Sequence, residues 1–354
     1  MRGAVRRRGR MPPVAGSPWR LTAGAGLALT AVLFLLPLLT VRGEGGGAAG
    51  ETENAPLTAT APEGQTTRAA RDRGHIVKLL QPDGTVEELT MVDYLFGVVA
   101  AEMPAAFEEE ALKAQACAAR TYTVVRQASA HAAHPQADVC TDSGCCQAYV
   151  ERQAAETRWG ISAGTYSAKI SQAVADTDGL GILYQGAPIQ AVFFSSAPGQ
   201  TADAVAVWGS QVDYLKSVSS PEGDEVPNYR SQVVLTAEEV RSRVLAAYPG
   251  ADLSGDPSGW LGTPASSGGA VTSIPVGGVT LTGSQVRTLF SLRSAAFTVA
   301  WDGTSFIFSV TGYGHGVGMS QYGANAMAKE GSSFRDILTW YYTGAQVDDL
   351  WAES

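Results

Sequence analysis

Hydrophobic residues are arranged in three different ways along this chain. Residues 21–41 are 21 consecutive uncharged, mostly apolar residues, close to the ~20 that an α-helix needs to cross a bilayer. Residues 42–72 hold almost no large apolar side chain and have the Gly, Ala, Thr, Glu and Pro composition of a linker. From residue 73 onward apolar positions recur with the spacings of helices and strands. The pattern therefore predicts a transmembrane segment, a linker and one folded domain at 73–354.

The flanks of the apolar segment indicate its orientation. Residues 1–20 contain six arginines and no acidic residue, whereas acidic residues follow the segment. Basic flanks stay in the cytoplasm, so we expect a cytoplasmic tail at 1–20 and an extracytoplasmic domain. The alternative is a cleaved signal peptide, whose apolar region is usually ~7–15 residues long and ends in a small-residue cleavage site. The length of 21–41 and the lack of a clear site favour an uncleaved anchor.

The first half of the folded region predicts strands, then helices, then a loop. A turn at Pro82–Asp83–Gly84 separates two apolar segments. Asp93 is a candidate cap for a short helix that Pro104 would end. The strongest helix pattern begins at Phe107, with acidic residues in its first turn. The predicted elements are strands at 75–80 and 85–90, helices at 94–101 and 107–129, a loop at 131–149, and strands at 182–184 and 191–195.

The second half carries local signals of a different kind. Thr236 with Glu239, and Thr282 with Gln285, have the spacing of capping boxes that begin helices. The Asp302–Gly303 pair predicts a hairpin. The predicted elements are helices at 240–248 and 286–290, strands at 297–301 and 305–311, a glycine-rich loop at 312–318, and helices at 320–329 and 334–341. Because strands and helices alternate irregularly, we expect an α+β fold rather than a doubly wound sheet.

Charge and cysteine content exclude several classes of function. The chain has a net charge of −9, and its basic tail hides a stronger excess of acid in residues 21–354. Nucleic acid is therefore an unfavourable partner, because phosphate binding needs a cationic face. The 312–318 loop lacks the Lys-Ser/Thr of a P-loop, which argues against nucleotide binding. Four cysteines are too few for a disulfide scaffold in a chain of 354 residues.

Three of the four cysteines lie in the predicted loop. His134, Cys140, Cys145 and Cys146 offer one imidazole and three thiols, the ligand types of a closed tetrahedral zinc site. The spacing is not that of a standard zinc finger, and a disulfide is the alternative in an oxidising compartment. We expect a structural zinc ion here. Cys117 lies among alanines on the predicted long helix and is interpreted as a packing residue.

Two segments of the chain carry a family resemblance. YLFGVVAAEMPAAFEEEALKAQACAARTY (94–122) and GYGHGVGMSQYGANAMAKEG (312–331) resemble the stage II sporulation protein D family, which is related to the amidase enhancers. Residues 193–224, CTDSGCCQAY (140–149) and LTGSQVRTLFSLRSAAF (281–297) are also similar, so the likeness covers most of 75–348. The resemblance implies a single extracytoplasmic catalytic domain with a substrate cleft, behind one N-terminal transmembrane helix.

The resemblance also implies a function. It indicates a lytic transglycosylase that cleaves peptide-free peptidoglycan strands, leaving 1,6-anhydro-muramic ends, during forespore engulfment in sporulation. The implied partners are glycan strands, a partner amidase like stage II sporulation protein P and a membrane protein like stage II sporulation protein M. The implied location is the mother-cell membrane facing the forespore. The alternative is a non-catalytic, glycan-binding amidase enhancer.

The family resemblance makes Glu102 the candidate catalytic residue, whereas on sequence alone a lone glutamate before Met-Pro is interpreted as a helix-end residue. Its apolar neighbours at 98–101 would disfavour a charged carboxylate and raise its pKa, which suits a general acid at neutral pH. Ordinary glycosidases need a second carboxylate. A lytic transglycosylase does not, because the C6 hydroxyl of the muramic residue attacks its own anomeric carbon. No equally placed second acid accompanies Glu102.

Several polar residues are candidates for substrate binding. Lys113 and Arg120 are seven residues apart and share one helix face; they either meet lactyl carboxylates of the peptide-free strand or form a solvated, salt-bridged face. Gln115 is expected to bind acetamido groups. The resemblance makes the 312–318 loop the wall opposite Glu102. The remaining candidates come from this loop and its neighbours: Ser195, Tyr313, His315, Gln321 and Tyr322.

Overall fold

The computed structural model describes residues 70–129 and 132–352. The helices of this part, in chain order, are α1 (Ala70–Arg73), α2 (Met91–Glu102), α3 (Glu109–Gln127), α4 (Arg152–Trp159), α5 (Ala163–Asp176), α6 (Ala204–Trp208), α7 (Ala237–Ala247), α8 (Gly283–Phe290), α9 (Gln321–Lys329) and α10 (Phe334–Tyr341). Short 3₁₀ turns lie at Gly160–Ser162 and Pro257–Gly259.

The strands form small sheets. In chain order they are β1 (Ile76–Leu80), β2 (Val86–Thr90), β3 (Val139–Cys140), β4 (Leu180–Tyr184), β5 (Ala187–Pro188), β6 (Phe193–Phe194), β7 (Arg230–Thr236), β8 (Ala265–Ser267), β9 (Ala270–Val276), β10 (Val279–Leu281), β11 (Phe297–Trp301), β12 (Ser305–Thr311), β13 (Met319–Ser320) and β14 (Gln346–Asp349). The sheet orders are β2-β1-β3, β14-β4-β5, β13-β6, β11-β12-β7 and β10-β9-β8. Helices and sheets are thus mixed as the α+β prediction requires.

Helix α3 lies at the centre of one hydrophobic core. Its buried face is rich in alanine, including Ala111, Ala114 and Ala118, and such small side chains let neighbouring elements approach closely. Helices α2, α5, α9 and α10 and strand β4 all pack against α3. This arrangement brings the C-terminal end of α2 close to the N-terminal end of α9.

A separate hydrophobic core lies further along the chain. It is formed by the antiparallel sheet β11-β12-β7, helices α7 and α8, and strands β9 and β10. Phe290, Phe297 and Phe308 pack their rings together in it. The sequence predicted one domain at 73–354 and did not separate these two cores.

The glycine-rich loop links the two cores. It follows β12 directly and is fixed to the first core because β13 pairs in parallel with β6, with Met319 opposite Phe193. Gly318 has a φ of +80°, and a Cβ there would overlap the carbonyl oxygen of Val192. Only glycine fits this combination of left-handed backbone and close approach. The loop therefore lies directly against the 193–196 segment.

Elements that were predicted from residues close together in sequence, such as capping boxes and turn residues, agree well with the structure. Both capping boxes are present, at Thr236 and at Thr282, and the hairpin strands at 297–301 and 305–311 have the predicted bounds. The helix predicted at 94–101 begins earlier, at Met91, because Thr90 and not Asp93 is its N-cap. Asp93 instead occupies the first turn.

Other elements were missed by the sequence analysis. These are the short helices α1 and α6, helices α4 and α5, strands β3, β5, β7 and β13, the sheet β10-β9-β8 and the edge strand β14. The membrane segment predicted at 21–41, the tail at 1–20 and nearly all of the predicted linker at 42–72 lie outside the described residues. Within the described part of the chain, no helix is long and apolar enough to cross a membrane.

Candidate active site

Glu102 is held where three segments converge. It is the last residue of α2, and Pro104 two residues later prevents the helix from continuing. The backbone N–H of Ala148 donates to its Oε1 at 2.7 Å. The side-chain Nε2 of Gln321, the first residue of α9, donates to its Oε2 at 3.3 Å. Both carboxyl oxygens are therefore positioned by the fold.

The environment raises the pKa of Glu102. Burial of the carboxyl group disfavours its charged form and is the largest effect, while the hydrogen bonds from Ala148 and Gln321 oppose it. The net direction is upward, as the apolar neighbours in the sequence predicted. A larger fraction of Glu102 is therefore protonated near neutral pH than for an exposed glutamate.

Glu102 opens into a cavity of about 610 Å³. Among the described residues that line it, Glu102 supplies the one carboxylate and Arg287 the one guanidinium. The other lining side chains are mostly aromatic, amide, hydroxyl or thiol groups, and they include Tyr122, Cys145, Cys146, Gln147, Gln190, Phe193, Phe194, Ser195, Trp208, Tyr313, His315 and Gln321. Aromatic faces together with amide and hydroxyl groups are suited to binding a carbohydrate.

His315 holds the glycine-rich loop in place. The backbone N–H of Val317 donates to its Nδ1 at 3.2 Å, so Nε2 carries the proton and donates to the carbonyl oxygen of Phe193 at 2.9 Å. Burial lowers the pKa of His315 to about 4, so the ring is neutral at pH 7. Because both ring nitrogens have partners within the protein, His315 lines the cavity as a positioning residue and not as the predicted hydrogen-bonding group for sugar.

Tyr313 and Ser195 both line the cavity. The Tyr313 side chain is 45% exposed, and the guanidinium of Arg293 lies 4.0 Å from its ring centre. The carbonyl oxygen of Ser195 accepts the backbone N–H of Tyr322 at 3.0 Å, which joins the Ser195 segment to α9. Tyr322 itself does not line the cavity; its ring packs edge-on against Phe107.

Three further predicted substrate-binding residues, besides Tyr322, do not line the cavity. Arg120 is fully buried, and its guanidinium pairs with Asp72 at 2.7 Å and donates to the carbonyl oxygen of Leu180. Gln115 is also fully buried, with its Oε1 accepting a hydrogen bond from Gln321. The spacing of Lys113 and Arg120 fixed their relative position on one helix face, but that face turns toward the protein interior.

Lys113 is the second cation that was predicted to bind the carboxylates of the substrate. Its ammonium lies 2.9 Å from Glu110 and 3.3 Å from Asp176, and its side chain is only 16% exposed. Lys113 does not line the cavity. The alternative weighed for this helix face was a solvated, salt-bridged one. Lys113 does form ion pairs, with Glu110 and Asp176 in place of Glu109, but its side chain is largely buried and not solvated. The assignment of Lys113 and Arg120 to substrate is corrected accordingly.

The structure adds residues that the sequence analysis did not select. Arg287 on α8, Trp208 at the end of α6 and Tyr122 on α3 all line the cavity. Arg287 and Tyr122 lie in the segments that carry the family resemblance, and that was the available signal. Trp208 lies in the similar segment at 193–224, but nothing local distinguishes a cavity tryptophan from a core tryptophan.

The predicted metal ligands come together. One donor atom from each of His134, Cys140, Cys145 and Cys146 lies within 4.8 Å of the others. Zinc bonds of ~2.3 Å to sulfur and ~2.0 Å to nitrogen require ligand atoms about 3.5–3.8 Å apart, so a small contraction would close a tetrahedron. Cys145 and Cys146 sulfurs are 3.9 Å apart, too far for the ~2.05 Å of a disulfide. The donor set and its spacing fit a metal ion.

The histidine of this cluster is oriented for ligation. Its Nδ1 lies 3.1 Å from the carbonyl oxygen of Ala137, and its Nε2 lies 3.3 Å from the Cys146 sulfur. A carbonyl partner fixes the proton on Nδ1 and leaves the Nε2 lone pair directed at the thiols, as in known zinc sites. Cys117, the fourth cysteine, is fully buried on α3 in the predicted packing role.

Comparisons with known proteins identify the family to which the chain is similar. The family model described as "SpoIID: Stage II sporulation protein" matches residues 82–184. The chain is 37% identical over 327 residues to stage II sporulation protein D of Bacillus subtilis (strain 168), covering 91% of this chain and 94% of that protein. It is 37% identical over 266 residues to stage II sporulation protein D of Bacillus amyloliquefaciens, covering 75% and 76% of the two chains.

A more distant similarity links the chain to another protein. It is 27% identical over 304 residues to the amidase enhancer of Bacillus subtilis (strain 168), covering 72% of this chain and 40% of that protein.

Proposed function

Since this chain belongs to the stage II sporulation protein D family, we propose that it is a peptidoglycan lytic transglycosylase. Its substrate is a peptide-free glycan strand, cut between N-acetylmuramic acid and N-acetylglucosamine. The observation that carries the proposal is Glu102, a buried carboxyl group with a raised pKa at a cavity suited to sugars.

Glu102 has both roles in the proposed reaction. Its protonated carboxyl gives the proton to the glycosidic oxygen as the bond from that oxygen to muramic C1 breaks. The resulting carboxylate then takes the proton from the muramic C6 hydroxyl as O6 bonds to C1. The products are a free 4-hydroxyl on one fragment and a 1,6-anhydro-muramic end on the other, and Glu102 ends protonated as it began.

The composition of the cavity supports transglycosylation over hydrolysis. Hydrolytic glycosidases use two carboxyl groups about 5–9.5 Å apart, one of them to attack or to activate water. Among the described residues that line the cavity, no second carboxylate accompanies Glu102. A substrate that carries its own nucleophile requires none.

We assign a structural role to zinc in the His134, Cys140, Cys145 and Cys146 cluster. When bound, the ion supplies a cross-link between the two ends of the 134–146 segment. The N–H of Ala148 follows two residues after the last ligand and donates to Glu102. The cluster thereby positions a backbone donor at the catalytic carboxyl group. With four protein ligands, the site has no place for a catalytic water.

The cellular setting is also a proposal. The apolar segment at 21–41 and the basic tail before it support a single-pass anchor with the domain outside the cytoplasm. The family supports action during engulfment at the mother-cell membrane facing the forespore. The proposed partners are an amidase that removes stem peptides and a membrane protein of the same complex.

A second candidate function is non-catalytic. The similarity to a protein named amidase enhancer supports a glycan-binding role in which the cavity holds the strand for a partner. The buried Glu102 would then have no reaction to perform, although it carries the cost of burial.

Product analysis separates the candidates. The full-length protein is incubated with peptide-free glycan and the strand ends are identified by mass spectrometry. Anhydro-muramic ends support the proposed transglycosylase. Reducing ends indicate a hydrolase, and unchanged glycan that is nevertheless bound indicates the enhancer role.

A further inference from the structure

The described lining of the cavity contains one cationic side chain, Arg287, that is available to bind an anion. Lys113 and Arg120, which the sequence suggested for that role, are paired elsewhere. Arg120 is buried against Asp72, and Lys113 is paired with Glu110 and Asp176. Among the described residues that line the cavity, Arg287 is the one Lys or Arg side chain. Any positive charge that meets a ligand there comes from this guanidinium.

The fold holds Arg287 in a defined position. It lies on α8, which begins with the capping box at Thr282 and is packed into the second core through Val286 and Phe290. Its Nε donates to the carbonyl oxygen of Arg293 at 3.2 Å. This bond fixes one edge of the planar guanidinium and leaves the two terminal nitrogens for a ligand.

Arg287 lacks an anionic partner in the protein. Within the described part of the chain, no carboxylate lies within 4 Å of it, although the side chain is partly buried. Burial lowers the pKa of Arg287, because partial removal from water disfavours the charged form. A desolvated, unpaired guanidinium is stabilised by an incoming anion more than an exposed arginine would be.

We propose that Arg287 is the carboxylate subsite of the cavity, and that it binds the free lactyl carboxylate of a muramic acid residue. The inference rests on the proposed function for the identity of the sugar. A guanidinium presents two parallel N–H groups that match the two oxygens of a carboxylate. Removal of the stem peptide creates this carboxylate, whereas an attached peptide replaces it by a neutral amide. Arg287 therefore makes the site selective for strands that an amidase has already processed.

Two probes, and three substitutions added to a common Glu102→Gln background, test the subsite. The probes are a peptide-free glycan strand and the same strand with its lactyl carboxylates converted to methylamides. The full-length protein carries Glu102→Gln so that no turnover occurs, and Arg287→Gln is added to it. Arg230→Gln is the matched control, because Arg230 forms an exposed ion pair with Asp224 and does not line the cavity. Dissociation constants are measured by calorimetry at low salt.

The expected result is a loss of preference. Without Arg287→Gln, the carboxylate strand should bind at least about tenfold more tightly than the methylamide strand. A tenfold ratio of dissociation constants is what the free energy of one hydrogen bond between charged groups provides. Adding Arg287→Gln should abolish this ratio and leave the methylamide affinity unchanged, which also shows that the variant is folded. Arg230→Gln should change neither value. Arg287→Lys keeps the charge without the planar fork and should keep part of the ratio.

Two results would overturn the inference: a preference that survives Arg287→Gln, or an equal loss of affinity for both probes. The proposed cleavage is judged separately, from the ends that unmodified protein produces. Preference for the carboxylate without anhydro-muramic ends rejects the transglycosylase and retains the subsite. Anhydro-muramic ends without any preference reject the subsite alone.

Discussion

Replacing Arg120 tests whether this residue supports the fold or binds substrate. Arg120 and Asp72 are both fully buried. The Arg120 Nε lies 2.9 and 3.0 Å from the two Asp72 oxygens, its Nη2 lies 2.7 Å from one of them, and its Nη1 donates to Leu180 at 2.8 Å. The pair thereby connects α1 and β4 to the central helix α3. Arg120→Met keeps most of the side-chain length and removes every one of these contacts.

The cost follows from the charge that remains. In Arg120→Met, the side-chain donors and backbone N–H groups that remain on the Asp72 carboxylate within residues 70–129 and 132–352 include Gly179 and Trp351, at 3.3 and 3.2 Å. Removing one partner of a buried ion pair typically costs about 3–5 kcal/mol of unfolding free energy. For a domain of this size each kcal/mol corresponds to roughly 2–4 °C in Tm, so Tm should fall by about 6–20 °C.

Thermal unfolding and glycan binding are measured on the same samples. Arg120→Met combined with Asp72→Leu should recover much of the loss, because an apolar pair of similar volume leaves no buried charge. Below its Tm, Arg120→Met should bind peptide-free glycan with unchanged affinity. An unchanged Tm together with weaker glycan binding would refute this reasoning and show that Arg120 binds substrate.

Two further predictions concern the metal cluster and the stability of the site. Purified protein should contain about one zinc per chain, and chelation should lower Tm; Cys146→Ala should lose the metal while Cys117→Ala keeps it, and oxidised thiols without metal would contradict the assignment. The pKa of Glu102 in the folded protein is raised above its ordinary value of 4.5. The free energy of unfolding of the wild type should therefore fall as the pH rises from about 4.5 through the folded-state pKa. Glu102→Gln should therefore have a higher Tm than wild type at pH 8, and the difference should shrink below about pH 4.5; a pH-independent difference would contradict the burial of this carboxyl group.

Local signals explain which elements the sequence predicts. The hairpin around Asp302–Gly303, the capping boxes at Thr236 and Thr282 and the helix at 334–341 each depend on residues within a few positions of one another. The helix α4 was missed because Ala155 is its one buried residue, so it has almost no apolar periodicity. Strand β7 was missed because its three apolar residues, at 233–235, are consecutive and therefore show no apolar/polar alternation.

The residues of the candidate site likewise fall into those that sequence signals could identify and those whose position depends on tertiary packing. Glu102 was selected through the family resemblance of 94–122, while its apolar neighbours predicted the direction of its pKa shift. The four metal ligands could be selected because they fall within 13 residues. The partner of Arg120 lies 48 residues earlier in the chain. Helical spacing showed that Arg120 and Lys113 share a face, but tertiary packing decides whether that face meets the core or a ligand. The place of Arg287 at the cavity likewise depends on packing between distant segments.

The most direct test of the central claim compares wild type with Glu102→Gln on peptide-free glycan. The substitution preserves the shape of the side chain and its hydrogen bond from Ala148, but an amide cannot protonate a glycosidic oxygen. The rate at which anhydro-muramic ends form, followed by mass spectrometry, should fall by at least ~10²-fold, while strand binding persists. Formation of these ends by Glu102→Gln at the wild-type rate would contradict the account, since the proton would then come from another group in the cavity.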